Sequence, residues 1–251
     1  MSIGCVSCGN PDISVVFYVH EGYTFSRSEQ QTIETIAAEA MRDAERLLPS
    51  LPDRIIVRVN PGKKVMPETG QTGSISRPNV VYWMVDPGRN GGVTAIAKRQ
   101  LRSTLLHEFH HLVRESTDSP TPIMARVLDE GLATVFERDF GDAPTPWGAY
   151  PPEVADWVTE LLALPVDASQ SDWMSRHPDG RRWIGYKAGT YLVDQAVRAS
   201  GKSALELISM STEDLLAIAL KGVHGKVRNE AVGRTDQVGL ALLRDFQRST
   251  V

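Results

Sequence analysis

Two histidines four positions apart have the spacing of metal ligands on one helix. His107 and His111 lie in the apolar run at residues 105–113, and Glu108 directly follows the first histidine. Residues four apart on an α-helix share a face, so both imidazoles can reach one point. A carboxylate rotated by about 100° from the first histidine flanks that point without being a ligand. This H-E-x-x-H pattern predicts a Zn²⁺ site with Glu108 as the general base toward a water.

The sequence predicts an amphipathic helix around this motif. Apolar residues recur at steps of three to five between residues 93 and 115, and no proline interrupts them. The motif alone is expected by chance in roughly one chain in a hundred of this length. The alternative to a metal site is that these are ordinary surface or core histidines. A candidate third ligand elsewhere in the chain would favour the metal site.

Glu130 is the candidate third ligand. Thr121 is a suitable N-cap with Pro122 at the first helical position, and the apolar stripe that follows predicts a second helix to about Phe140. The short connection predicts that this helix lies antiparallel to the first. Eighteen residues separate His111 from Glu130, which allows the chain to turn and bring the carboxylate back to the histidines.

H-E-x-x-H followed after eighteen residues by a glutamate resembles the gluzincin group of zinc metallopeptidases. The resemblance implies that His107, His111 and Glu130 hold the zinc ion. Gly131 and Ala133 resemble the small-residue pattern around the third ligand of that group, where helices pack closely. A zinc ion is thus the cofactor that the resemblance implies.

More narrowly, the chain resembles a bacterial family of predicted zinc-dependent proteases that shares the helix pair and a later Gly-Tyr-x-x-Gly segment. Here this segment runs from Gly185 to Gly189. The resemblance implies that Tyr186 hydrogen-bonds the oxyanion that develops in peptide hydrolysis. Tyr191 takes this role if Tyr186 points away, and a plain core aromatic is the other interpretation of Tyr186.

One position departs from the gluzincin pattern. Several members have an acid four residues after the glutamate ligand, directed at the first histidine, whereas this chain has Thr134. A ligating imidazole usually donates its other N–H to a carboxylate or a carbonyl, so an acceptor for His107 is still expected. Asp129 and a backbone carbonyl are both candidates.

The substrate-binding prediction concerns the strand expected at residues 79–86. In gluzincins an edge strand next to the zinc helix pairs with the extended substrate backbone, and this strand directly precedes that helix. An interior strand that never meets substrate is the alternative. Glycine-rich residues 70–76 and 88–92 are expected to form mobile loops. The candidate substrate-binding residues are Asn79, Val81 and Trp83.

The remaining segments predict an α+β fold, with a small mixed sheet and helices in an N-terminal lobe, the zinc-binding helix pair, and a mainly helical C-terminal lobe. Segments rich in β-forming residues predict further strands at residues 13–20 and 54–60. A capping box at residues 26–29 opens a helix that ends at Pro49. Later helices are expected at residues 152–164, 182–199, 212–221 and 236–247.

Three parts are expected along the chain. Residues 1–12 form a flexible N-terminus, residues 13–141 a zincin-like α/β lobe with the active-site helices, and residues 142–251 the helical lobe. The site is expected between the lobes. Cys5 and Cys8 form a C-x-x-C pair with no second pair in the chain, which favours a reduced N-terminus over a metal or redox site.

Composition narrows the function classes. The chain has 251 residues, of which 41% are hydrophobic and 23% charged, as in ordinary globular proteins. Its net charge of −4 gives no indication of a nucleic-acid or membrane-surface partner. No apolar run approaches the ~20 residues of a spanning helix, and no signal-peptide pattern is present, so a cytoplasmic protein is expected.

Three other histidines are alternative candidates for metal binding. His110 also shares a face with His107, but the spacing to Glu130 favours His111. His177 and His224 lie in segments flanked by proline or glycine and are expected to be solvated.

The features together predict a zinc-dependent peptidase that acts on a peptide or protein substrate. The alternative is a catalytically silent metal-binding domain with a regulatory or protein-interaction role. Glu108 argues against this alternative, because a structural zinc ion has no use for a base and usually takes four protein ligands.

Overall fold

Four strands form one mixed sheet. The computed structural model describes residues 12–20, 22–77, 79–114 and 122–230. The strands are β1 (Asp12–Phe17), β2 (Arg54–Pro61), β3 (Gln71–Arg77) and β4 (Val80–Val85). β1 and β4 both pair parallel to β2, and β3 pairs antiparallel to β4. The order β1-β2-β4-β3 puts β4 inside the sheet and β3 at one edge.

The helices follow the strands and extend to the end of the described chain. They are α1 (Arg27–Leu47), α2 (Gly92–Ile96), α3 (Arg102–Val113), α4 (Pro122–Phe140), α5 (Val154–Leu162), α6 (Gln170–Met174), α7 (Ile184–Ser200), α8 (Ala204–Leu207) and α9 (Thr212–Glu230). A π-helical turn, Ala97–Leu101, joins α2 to α3. The fold is α+β with a small mixed sheet, as predicted.

The π-helical turn explains an irregularity in the apolar pattern. Ile96 and Leu101 are both buried although they are five positions apart, a step that would place them on different faces of a regular α-helix. A π-turn holds one extra residue, so both side chains can face the core. Residues 92–113 are therefore helical throughout. The π-helical turn sets how α3, with its two histidines, is rotated about the helix axis.

β3 corrects one sequence prediction. Residues 70–76 were expected to form a mobile loop, and that expectation is wrong, because Gln71–Arg77 pairs with β4. Gly73, Ser74 and Ser76 are poor β-formers, so local composition does not indicate a strand here. Pairing with β4 supplies the stabilisation that composition does not.

The described residues divide into two units. The first takes its residues from Met1–Thr117 and Leu132–Ala149, and the second from Asp118–Gly131 and Tyr150–Val251. The division falls inside α4, which is one continuous helix. The parts expected at residues 1–12, 13–141 and 142–251 stay a prediction.

The first unit packs helices against the sheet. Along β2, alternate side chains are buried, as expected where one face of a sheet carries the core. α1 packs against β1 and α3, and α3 packs against β3. Arg102 at the start of α3 donates to Asp43 of α1 at 2.7 Å and to the carbonyl oxygen of Phe140 at 2.7 Å. These bonds hold the end of α4 beside the start of α3.

The second unit is helical. α7 packs against α5, α6 and α9. Gly222 of α9 lies so close to α7 that a Cβ there would be 2.7 Å from the carbonyl oxygen of Gln195. Among the described residues, no helix combines the length and the apolar character that crossing a membrane requires. Cys5, Cys8, Thr121, the side chain of His224 and the helix expected at residues 236–247 lie outside the described residues.

Candidate metal centre

The two histidines of the H-E-x-x-H motif converge as the helical spacing requires. His107 and His111 lie on α3, and their Nε2 atoms are 3.1 Å apart. Zn–N bonds of about 2.0 Å in tetrahedral geometry would hold two nitrogens about 3.3 Å apart. The observed separation is close to this value. The pair therefore presents two nitrogen donors with the spacing that one zinc ion needs.

Glu130 of α4 completes a set of three donors. One ligand atom from each of His107, His111 and Glu130 lies within 4.8 Å of the other two. Two imidazoles and one carboxylate are a donor set that catalytic zinc sites use, with a fourth position for water. The donor chemistry and the spacing thus fit a zinc ion.

The position of Glu130 depends on a close crossing of α4 and α7. A Cβ on Gly131 would lie 2.4 Å from the carbonyl carbon of Gly189, and a Cβ on Gly189 would lie 2.0 Å from the carbonyl oxygen of Val127. Only glycine fits at these two positions unless the helices move apart. Gly189, the last residue of the Gly-Tyr-x-x-Gly segment, therefore serves helix packing directly beside Glu130.

The Glu108 carboxylate lies against β3. Glu108 is buried, and a Cβ on Gly73 would be 2.6 Å from its Oε1 atom and 2.6 Å from Cγ2 of Thr104. The absence of a side chain at position 73 therefore makes room for the carboxylate. Glu108 is held between its own helix and the backbone of the edge strand.

Glu137 was missed by the sequence analysis. Its Oε2 atom lies 3.1 Å from Nδ1 of His107, and since a carboxylate can only accept, the imidazole N–H donates. The acceptor for His107 is thus neither of the two candidates considered above. Glu137 lies seven residues after Glu130, two helical turns along the same face, and this spacing is the signal that would have identified it.

Thr134, at the position where several gluzincins have an acid, takes no comparable role. Its side chain is fully buried, and among the described residues its hydroxyl has no hydrogen-bond partner. Contacts with the start of α3 lie further along the chain, in the segment that follows α4. Ser103 near the start of α3 accepts from the backbone N–H groups of Asp142 and Ala143 at 2.9 and 3.1 Å.

Comparison with known proteins assigns the chain to a family. Residues 30–217 match the family described as "Predicted Zn-dependent protease (DUF2268)". The chain belongs to this family. The matched range includes all three donors, both buried glutamates and the Gly-Tyr-x-x-Gly segment. Neither the curated proteins nor the solved structures contain a match to the chain.

In this family member, the strand expected to bind substrate is not at a sheet edge. β4 lies between β2 and β3, so both of its sides are hydrogen-bonded, and the expected edge position is wrong. Val81 and Trp83 are fully buried, and the indole of Trp83 donates to Gln71 at 2.9 Å. The carbonyl oxygen of Asn79 accepts from Ile56 of β2. Backbone pairing with a substrate is therefore unavailable at these residues.

The two candidate tyrosines both lie on α7. Tyr186 is half-buried and meets the ring of Trp183 edge-on, with ring centroids 5.6 Å apart. Tyr191 is buried and meets Tyr150 edge-on at 5.3 Å. The hydroxyl of Tyr150 donates to Asp194, and burial followed by this bond raises the pKa of Tyr150. Tyr191 thus belongs to a packed aromatic cluster, which favours Tyr186 for an exposed role.

The other histidines have structural contacts. His110 is buried and its ring packs against Phe136 at 5.5 Å. His177 was expected to be solvated, and that expectation is wrong. Its side chain is 19% exposed, with Nδ1 2.9 Å from Asp179 and its ring 4.5 Å from Trp173.

Proposed function

We propose that this chain is a zinc-dependent peptidase in which His107, His111 and Glu130 hold the metal ion. The observation that carries the proposal is the convergence of their three donor atoms, with a buried carboxylate on the next residue of the same helix. A zinc ion bound there supplies Lewis acidity toward a carbonyl oxygen and lowers the pKa of a bound water. Membership of the predicted Zn-dependent protease family supports the same reading.

Glu108 is the proposed general base. Its carboxylate accepts a proton from the water that attacks the scissile carbonyl carbon, and it returns that proton to the leaving amine nitrogen as the C–N bond breaks. This carboxylate lies against the backbone of β3 at Gly73. Tyr186 is proposed to donate a hydrogen bond from its hydroxyl group to the oxyanion that forms between these steps.

The substrate strand is reassigned to β3. An extended peptide adds to a sheet at an unpaired edge, and β3 is the edge strand whose backbone passes the Glu108 carboxylate at Gly73. A peptide paired to this edge brings one of its carbonyl groups beside the base. We therefore propose β3 in place of Asn79, Val81 and Trp83 as the peptide-binding element.

Digestion of a peptide library by the zinc-loaded chain tests the proposal, with cleavage products read by mass spectrometry. Glu108→Gln should retain stoichiometric zinc and lower turnover by about 10²–10⁴-fold, because only proton transfer is lost. Glu160→Gln, a partly exposed glutamate of α5, is the control and should cleave as the wild type does. Wild-type turnover by Glu108→Gln, under metal-controlled conditions, would refute the mechanism.

The alternative, a metal-binding domain without catalysis, predicts a different result. Such a chain would bind zinc and leave every peptide of the library intact. A structural zinc site usually has four protein ligands, whereas the cluster found among the described residues offers three donors. The donor count therefore favours the peptidase.

A further inference from the structure

The Glu137 carboxylate is buried where two N–H groups reach the same oxygen atom. The side chain of Glu137 is 3% exposed. Its Oε2 atom accepts from Nδ1 of His107 at 3.1 Å and from the indole N–H of Trp147 at 3.4 Å. Trp147 is itself buried in the irregular segment after α4. A buried carboxylate needs such donors, because removing a charge from water without them costs several kcal/mol.

The bond to Glu137 determines which nitrogen of His107 carries the hydrogen. Because Oε2 accepts, Nδ1 must carry a hydrogen, which leaves Nε2 as the nitrogen that can offer its lone pair to a metal ion. Nε2 is the atom that faces Nε2 of His111 at 3.1 Å. The contact with Glu137 thus fixes both the tautomer and the ring orientation that a metal ligand at this position needs.

We propose that Glu137 is the positioning residue for His107, and that Trp147 holds the Glu137 carboxylate in place. The acid that orients the first histidine is therefore seven residues after the glutamate ligand in this chain, with Thr134 at the four-residue position. The inference rests on the proposed function only in taking His107 as a metal ligand. It does not depend on peptide cleavage.

Zinc affinity of the full chain, measured by competition with a chromophoric chelator, tests this role. Glu137→Gln should weaken zinc binding by about 10–100-fold, the range found when groups that orient metal-bound histidines are replaced. Trp147→Phe leaves the bond to His107 in place and should weaken binding by a smaller factor. Asp139→Asn, on the exposed side of α4, is the control and should bind zinc as the wild type does.

A second measurement reads the hydrogen position in the wild type itself. In the metal-free wild type, the side-chain ¹⁵N spectrum, assigned with His107→Ala, should show the His107 hydrogen on Nδ1. Wild-type zinc affinity in folded Glu137→Gln, or a hydrogen located on Nε2 in the wild-type spectrum, would overturn the proposal. An equal loss of affinity in Trp147→Phe and Glu137→Gln would also overturn it, because it would assign the effect to packing.

These results separate the inference from the proposed function. A wild type that binds zinc but cleaves no peptide would refute the peptidase while leaving the role of Glu137 intact. If the wild type cleaves peptides but Glu137→Gln binds zinc as tightly as the wild type, the peptidase proposal stands and the role of Glu137 is refuted.

Discussion

At the scale of single residues, the carboxylates of the candidate site differ in what surrounds them. Glu130 lies 3.8 Å from Arg126, whose side chain is 52% exposed, so this ion pair is weak. Glu137 is bonded to an imidazole and an indole, and Glu108 lies against a strand backbone. The three glutamates have different surroundings, and a different role is proposed for each. Glu130 is a metal ligand, Glu137 positions His107, and Glu108 is the general base.

Replacing Gly73 should impair catalysis without removing the metal. In Gly73→Ala the new methyl group would lie 2.6 Å from Oε1 of Glu108, so the carboxylate or β3 must move. Displacing a reacting group by about 1 Å can lower turnover by roughly 10²-fold. The measurement is kcat with stoichiometric zinc, and Glu39→Ala at an exposed position of α1 is the control. Unchanged kcat in Gly73→Ala would refute the proposed contact between base and edge strand.

Removing the third donor should remove the metal. Glu130→Ala leaves two imidazoles, too few to retain zinc through dialysis against a weak chelator. Arg126→Ala on the same helix removes only the weak ion pair and should keep its zinc. Metal analysis of the two dialysed variants provides the check, and zinc retained by Glu130→Ala would exclude this residue as a ligand.

At the scale of elements, the helices that carry the donors are held by contacts outside the donor set. Ser103 and Arg102 fix the end of α4 against the start of α3. The glycine contact between α4 and α7 brings the two backbones together beside Glu130. The π-helical turn before α3 sets the rotation of the histidines. The donor geometry is therefore a property of how these helices pack.

Gly189→Ala should destabilise the chain. A Cβ 2.0 Å from the carbonyl oxygen of Val127 forces α7 away from α4, and overpacking of this kind costs about 1–3 kcal/mol or more. The higher helix propensity of alanine offsets about 1 kcal/mol of this cost. Urea unfolding monitored by circular dichroism measures the change, with Lys187→Ala as the control on the same helix. A Gly189→Ala chain as stable as the wild type would contradict the close crossing.

At the scale of the whole molecule, metal binding and stability are linked, because the donors converge only in the folded chain. His107 and Glu130 are 23 positions apart in sequence, and one donor atom of each lies within 4.8 Å of the other. A ligand that binds only the folded state stabilises that state by mass action.

Zinc should therefore raise the melting temperature. At 100 times its dissociation constant, zinc contributes about 2.7 kcal/mol, which for a chain of this size corresponds to about 5–10 °C. Differential scanning calorimetry with zinc and then with excess chelator measures the shift and its reversal. His111→Ala should show no shift, and an equal shift in that variant would mean that zinc acts elsewhere on the chain.

The sequence alone determined the features that follow from short-range periodicity. The four-residue spacing of His107 and His111 places both imidazoles on one helical face whatever the surroundings, and the β-rich runs of β1, β2 and β4 identify those strands. The spacing to Glu130 and the resemblance predicted the third donor. Each of these three predictions depends on the order of residues that are close in sequence or on a recognised motif.

Only the tertiary structure decided which strand lies at the sheet edge and which acid orients His107. β3 has the composition of a loop and becomes a strand by pairing with β4, which places β4 inside. Glu137 reaches His107 across thirty positions because α3 and α4 pack in one register. Strand order and helix register arise from long-range packing, and local residue preferences do not encode them.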